Sequence, residues 1–154
     1  MMMDDAHRAM LRKNGTLVGR ILMGLLFFGS GLSILLMTGV SGTASYFSSI
    51  GIPMAGIVAW LVVVLKIVAG GALIAGFRSG LAAASLILFT AAATVIAHLD
   101  LNDPGLFKNL AIIGGLLYVM AYGPGEGWNV GAMKHETPTP TPEPQPENPP
   151  MSHM

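Results

Sequence analysis

The sequence contains no cysteine. This excludes disulfides, thiolate metal sites and thiol redox chemistry by this chain. Charge is scarce too: 10% of residues are Asp, Glu, Lys or Arg, against ~25% in a typical soluble domain. The two signs balance to a net charge of zero, so no footprint for nucleic acid is visible. Between Gly15 and Tyr122 only six formal charges occur: Arg20, Lys66, Arg78, Asp100, Asp103 and Lys108. A water-soluble fold needs a charged surface that this stretch cannot supply. Glycine-rich phosphate loops, nucleophile elbows and HExxH signatures are missing as well. The reading therefore leans away from an enzyme.

Apolar residues are abundant, at 53% of the chain with a mean hydropathy of +0.65. The lipid bilayer is the expected surrounding of such a composition. Residues 1–14 make a polar, basic start with Arg8, Arg12 and Lys13 beside Asp4 and Asp5. Residues 17–37 follow, broken only by Arg20 and a few small polar groups. About 20 mainly apolar residues suffice to span a bilayer. A secretory signal has an apolar region of about 7–15 residues and a small-residue cleavage site. This run is longer and no clean A-x-A site follows, so it reads as a retained span. Further spans are expected at 54–76, 80–98 and 105–122. The last covers about 27 Å at 1.5 Å per residue, just enough to cross.

Between the first two spans, Tyr46, Phe47 and Ile50 fall on one side of a helical turn, which predicts a short interfacial helix. Pro53 is placed to open the next helix. The link at 77–79 is so short that the spans around it must be antiparallel neighbours. Asp100, Asn102, Asp103 and Pro104 carry turn chemistry, and Gly123-Pro124-Gly125 ends the fourth span. Residues 131–154 read as a Pro-rich disordered tail. The expected fold is an all-α membrane protein. Residues 15–130 form an antiparallel four-transmembrane-helix bundle, with the interfacial helix between helices 1 and 2. With the N-terminus inside, Arg8, Arg12, Lys13, Arg20, Arg78 and Lys134 lie on or near one side and only Lys108 on the other. The positive-inside rule makes both termini cytoplasmic. Arg20, close to the inner surface, is expected to snorkel to it.

Lys66 is the most unusual residue. It lies about 18 Å from Met54 and about 15 Å from Gly76 along a helix, near the bilayer midplane. Its helical face carries Ala55, Ala59, Val62, Ala69, Gly70 and Leu73, while larger Leu61, Val64, Leu65 and Val68 oppose it. Small residues let helices approach, so Lys66 should face the bundle. A charged lysine at that depth costs ~3 kcal/mol on insertion scales, and no Asp or Glu lies inside a span to pair with it. Either it serves an anionic or carbonyl-bearing ligand or a proton relay, or hydroxyls and carbonyls of neighbouring helices simply hold it.

Thr90, Thr94 and His98 form a polar track at i, i+4 and i+8. Thr90 sits at the depth of Lys66 and His98 at the outer mouth. Hydroxyls in spans more often bond their own helix backbone than a ligand. A lone membrane-proximal His without Cys speaks against haem, zinc or another metal. Gly29-Ser30-Gly31, Gly70, Ala91 and Gly114-Gly115 make a central zone of small side chains. Close packing is one meaning of that zone, and a cavity for a flat or chain-like lipid-soluble molecule is the other. Asp100, Lys108 and Asn109 are expected as outer-surface polar groups, with Lys108 pairing with Asp100 or Asp103.

Several stretches together resemble the DoxX-like family of small four-helix membrane proteins. They are Gly19-Arg20-Ile21-Leu22, Tyr46-Phe47, Gly51-Ile52-Pro53, Gly70-Gly71-Ala72-Leu73 with Gly76, Phe107-Lys108-Asn109 and Gly123-Pro124-Gly125. The resemblance covers about residues 17–130. It implies a bundle in the bacterial cytoplasmic (inner) membrane. Some relatives resemble subunits of quinone-linked sulfur oxidation, and others partner with thiol- or superoxide-handling enzymes. The family often carries a glutamate in the second span where this chain has Lys66, so the charge there is reversed. The resulting expectation is an accessory subunit, linked to membrane redox and binding a quinone-like molecule around Lys66, Thr90, Thr94 and His98. The alternative is a small carrier or channel-like homo-oligomer for a solute, and a third reading is an assembly partner for another membrane protein.

Overall fold

The computed structural model describes residues 4–128 and 130. The Pro-rich tail and Lys134 lie outside the described residues. Among these residues the chain is all helix: α1 (Asp5–Ser33) continuing as a π-helical turn (Ile34–Thr38), α2 (Val40–Ser49), α3 (Ala55–Ala75), α4 (Ser79–Ala97) and α5 (Pro104–Tyr122). Four stretches are long and apolar enough to cross a membrane: Asp5–Thr38, Ala55–Ala75, Ser79–Ala97 and Pro104–Tyr122. The protein is a four-span helical bundle.

Local chemistry sets the ends. Helix α1 begins well before the apolar run, because residues 5–13 are mostly good helix formers and Asp5 suits the positive end of the helix dipole. Helix α3 opens at Ala55 and not at Pro53, after Met54 in a left-handed conformation (φ 53°). It closes on Gly76 (φ 71°), a conformation that suits a residue without Cβ, with Phe77 N–H donating to Ala72 O at 3.0 Å. That compact turn returns the chain into α4 as the short link requires. At the start of α5, Pro104 stands in the first turn and the Asp103 side chain accepts from Gly105 N–H. Helix α2 occupies the place expected of the interfacial helix and packs on α3.

Helix α1 packs along α3, α3 on α4, α4 on α5, and α5 returns to α1. The ring follows chain order, so neighbours are antiparallel. Its core is a layer of Leu73, Ala83, Leu86 and Leu116 with Phe27, Ala69, Ala82 and Val119. The small-residue face of α3 is turned inward: Ala59, Ala69, Gly70 and Leu73 are buried, while Leu61, Val64 and Val68 are exposed. Large apolar side chains cover the outside (Leu22, Leu25, Leu88 and Val95 among them) as hydrocarbon surroundings require. Where α1 meets α3 the backbones touch: a Cβ on Gly70 would stand 2.6 Å from Phe28 N and 2.9 Å from Gly24 O.

Candidate functional site

Near α2 and the α4–α5 loop, the four long helices leave a cavity of about 230 Å³. Lys66 reaches it from α3, Ser30 from α1, Phe89, Thr90 and His98 from α4 and its end, and Lys108 and Asn109 from α5. A second, more apolar cavity of about 320 Å³ lies alongside under α2, and the two share Lys66, Phe89, Ala93 and His98.

Lys66 is half-buried. Its Nζ donates to Ser30 Oγ at 3.0 Å and lies 5.3 Å from the centre of the Phe89 ring. A hydroxyl oxygen and an aromatic face thus do what a carboxylate would otherwise do. The polar track is built as the bland expectation had it. Thr90 Oγ1 donates to Leu86 O and Thr94 Oγ1 to Thr90 O, each at 2.7 Å. Those protons are committed, so only the oxygen lone pairs remain for a partner. Thr94 spends its own on Asn109, whose Nδ2 donates to Thr94 Oγ1 at 3.0 Å.

At the mouth, His98 Nδ1 is hydrogen-bonded to Asp103 Oδ2, and Asp103 Oδ1 accepts from Gly105 N–H at 2.7 Å. The His98 contact first, and then the Gly105 N–H, hold the Asp103 carboxyl below the usual carboxylate range. A Cβ at Gly105 would lie 2.6 Å from His98 Nδ1, so only glycine leaves the ring its place.

Two expectations at this end of the bundle are corrected. Asn109 is not an outer-surface group: it is buried against α4, because it falls in phase with Gly105, Leu116 and Val119 on the inner stripe of α5. Lys108 pairs with neither aspartate. Asp103 is engaged as above, and Asp100 Oδ1 accepts from Asn102 N and Nδ2 at 2.9 and 3.2 Å. Lys108 instead borders the cavity. Of the residues expected at the site, Lys66, Thr90 and His98 line one space, and Thr94 supports it through Asn109. Ser30 and Phe89 were missed as partners of Lys66, although both could be placed at its depth by counting residues.

At the far end of the bundle, Arg20 is 1% exposed. Its Nη1 donates to Pro124 O and its Nη2 to Trp128 O, both at 2.7 Å. The expected snorkelling does not occur, because the chain beyond α5 folds back and offers carbonyls no helix has used.

A family model described as DoxX matches residues 15–99, from α1 to the end of α4. The chain belongs to the DoxX family. Among curated proteins, inner membrane protein YphA of Escherichia coli (strain K12) is 30% identical over 118 residues, covering 71% of this chain and 83% of the relative. No solved structure matches significantly. The protein is thus a DoxX-type integral membrane protein of several spans. Lys66, Thr90, Thr94 and His98 fall inside the DoxX match, while Lys108 and Asn109 lie beyond it.

Proposed function

We propose that this DoxX protein is an accessory, ligand-binding subunit of the bacterial inner membrane, linked to membrane redox. In this reading it holds a quinone-like, lipid-soluble molecule and catalyses nothing itself. The observation that supports it best is the meeting of Lys66, Thr90, His98, Lys108 and Asn109 around one cavity beside an apolar one. An oxygen-bearing head would take hydrogen bonds from Lys66, and its apolar body would lie under α2. The basic residues Arg8, Arg12, Lys13 and Arg78 belong to the opposite end of the bundle, so the cavity faces outward and both termini are cytoplasmic. Helix α2 then lies at the outer interface.

A carrier would need a path past Leu73, Leu86 and Leu116, each 0% exposed. Their close packing in the core favours binding over transport. The test is extraction of the protein in native lipid and chromatography of the extracted quinones. Quinone should co-purify, and Lys66→Met should weaken its binding about tenfold or more and lower its occupancy, since a hydrogen bond from a charged donor contributes about 1.5–3 kcal/mol. Unchanged occupancy in that variant would remove Lys66 from the site.

A further inference from the structure

We propose that the cavity between Lys66 and Lys108 selects an anion, so that its ligand is an amphiphile with an apolar body and one ionised oxygen head. This rests on the cavity being a ligand site and adds the charge of what it takes. Two amines line the same space and no carboxylate does. The nearest acids are already engaged, Asp103 by His98 and Gly105 and Asp100 by Asn102. Lys66 makes one hydrogen bond, to Ser30, out of the three an ammonium can donate. Lys108 makes no hydrogen bond or ion pair among the described residues, and its charge meets that of Asp103 only at a distance.

Two like charges facing one space repel each other, and a negative group placed between them is attracted to both. Neutral acceptors gain less, because hydrogen bonds to ionised partners are about twice as strong. The Thr90 hydroxyl proton is committed to its own helix, and the two lysines are the charged donors toward a ligand. The adjoining 320 Å³ space, walled by Tyr46, Phe47 and Val62, begins at Lys66 and runs under α2. Head and body sites are therefore contiguous. The same chemistry has two sources: the carboxylate of a single-chain lipid, or an ionised hydroxyl on a quinone ring.

The test uses the full-length protein in phosphatidylcholine nanodiscs, titrated calorimetrically with two matched pairs. One pair is palmitate and hexadecanol. The other is a 3-alkyl-2-hydroxy-1,4-naphthoquinone and its 2-methoxy ether. Within at least one pair the anion should bind about tenfold more tightly than its neutral partner. That preference should disappear in Lys66→Met and in Lys108→Gln, and the pair that displays it identifies the source. Equal binding within both pairs overturns the inference and leaves the cavity as a site for neutral molecules. A preference that survives both substitutions also overturns it. If none of the four compounds binds, the cavity reading fails and the inference fails with it. Should Lys66→Met not fold, the exposed Lys108→Gln decides the outcome alone.

Discussion

Arg20 and Lys66 both stand inside spans, and each finds partners without a carboxylate. Arg20 uses free carbonyls of the returning chain, and Lys66 uses a serine oxygen and a phenyl ring. Asp103 ties the α4–α5 loop to the helix ends on both sides, through His98 on one oxygen and Gly105 N–H on the other. Its carboxyl is held below its ordinary value, so the proton binds more weakly in the folded state than in the unfolded one. The resulting stability is fully present above the unfolded pKa, about 3.9. It fades as pH falls through the folded value. Thermal melts in detergent from pH 7 downward should thus find Asp103→Asn less stable than wild type at neutral pH, with the gap narrowing below about pH 4. A gap that stays constant with pH would mean that the Asp103 charge plays no part.

At the scale of elements, the α1–α3 contact depends on three glycines, Gly24, Gly31 and Gly70. A side chain at Gly70 meets Phe28 N and Gly24 O, which are backbone atoms and cannot rotate away. Gly70→Val should therefore force the helices apart and lower stability by roughly 1–3 kcal/mol. Gly29→Val is the control, because nothing lies within 4 Å of a Cβ there. Equal melting temperatures for the two variants would refute this account of the contact. The spans themselves were legible, because hydrocarbon thickness and backbone hydrogen bonding leave only long apolar helices as solutions. The inward face of α3 was legible from its run of small residues. The inner stripe of α5 was equally readable in Gly105, Asn109, Leu116 and Val119, but the polarity of Asn109 suggested the surface and hid its phase. The partners of Arg20 could not be read from the sequence, because they depend on how the chain folds back after Tyr122. The same limit applies to the cavity. Its residues come from four helices, and periodicity within each helix does not say how the helices are rotated against one another.

The whole molecule is asymmetric along its axis. One end holds the cavity, α2 and the His98–Asp103 pair, and the other holds Arg20 beneath a folded-back chain. The buried core residues Leu86 and Leu116 lie along the helices between them. Which end faces the cytoplasm decides whether a ligand arrives from the outer or the inner leaflet. Positive charge near the Arg20 end favours that end inside by the positive-inside rule, and the absence of cysteine makes the question directly testable. Asn102→Cys places a single thiol on the exposed α4–α5 loop, and Arg8→Cys places one on the exposed first turns of α1. In intact spheroplasts a membrane-impermeant maleimide should label Asn102→Cys and leave Arg8→Cys unlabelled until the membrane is opened. The opposite pattern would turn the bundle over. Lys66 and Lys108 would then meet ligands from the cytoplasmic leaflet, and the charge asymmetry of the loops would no longer explain the insertion.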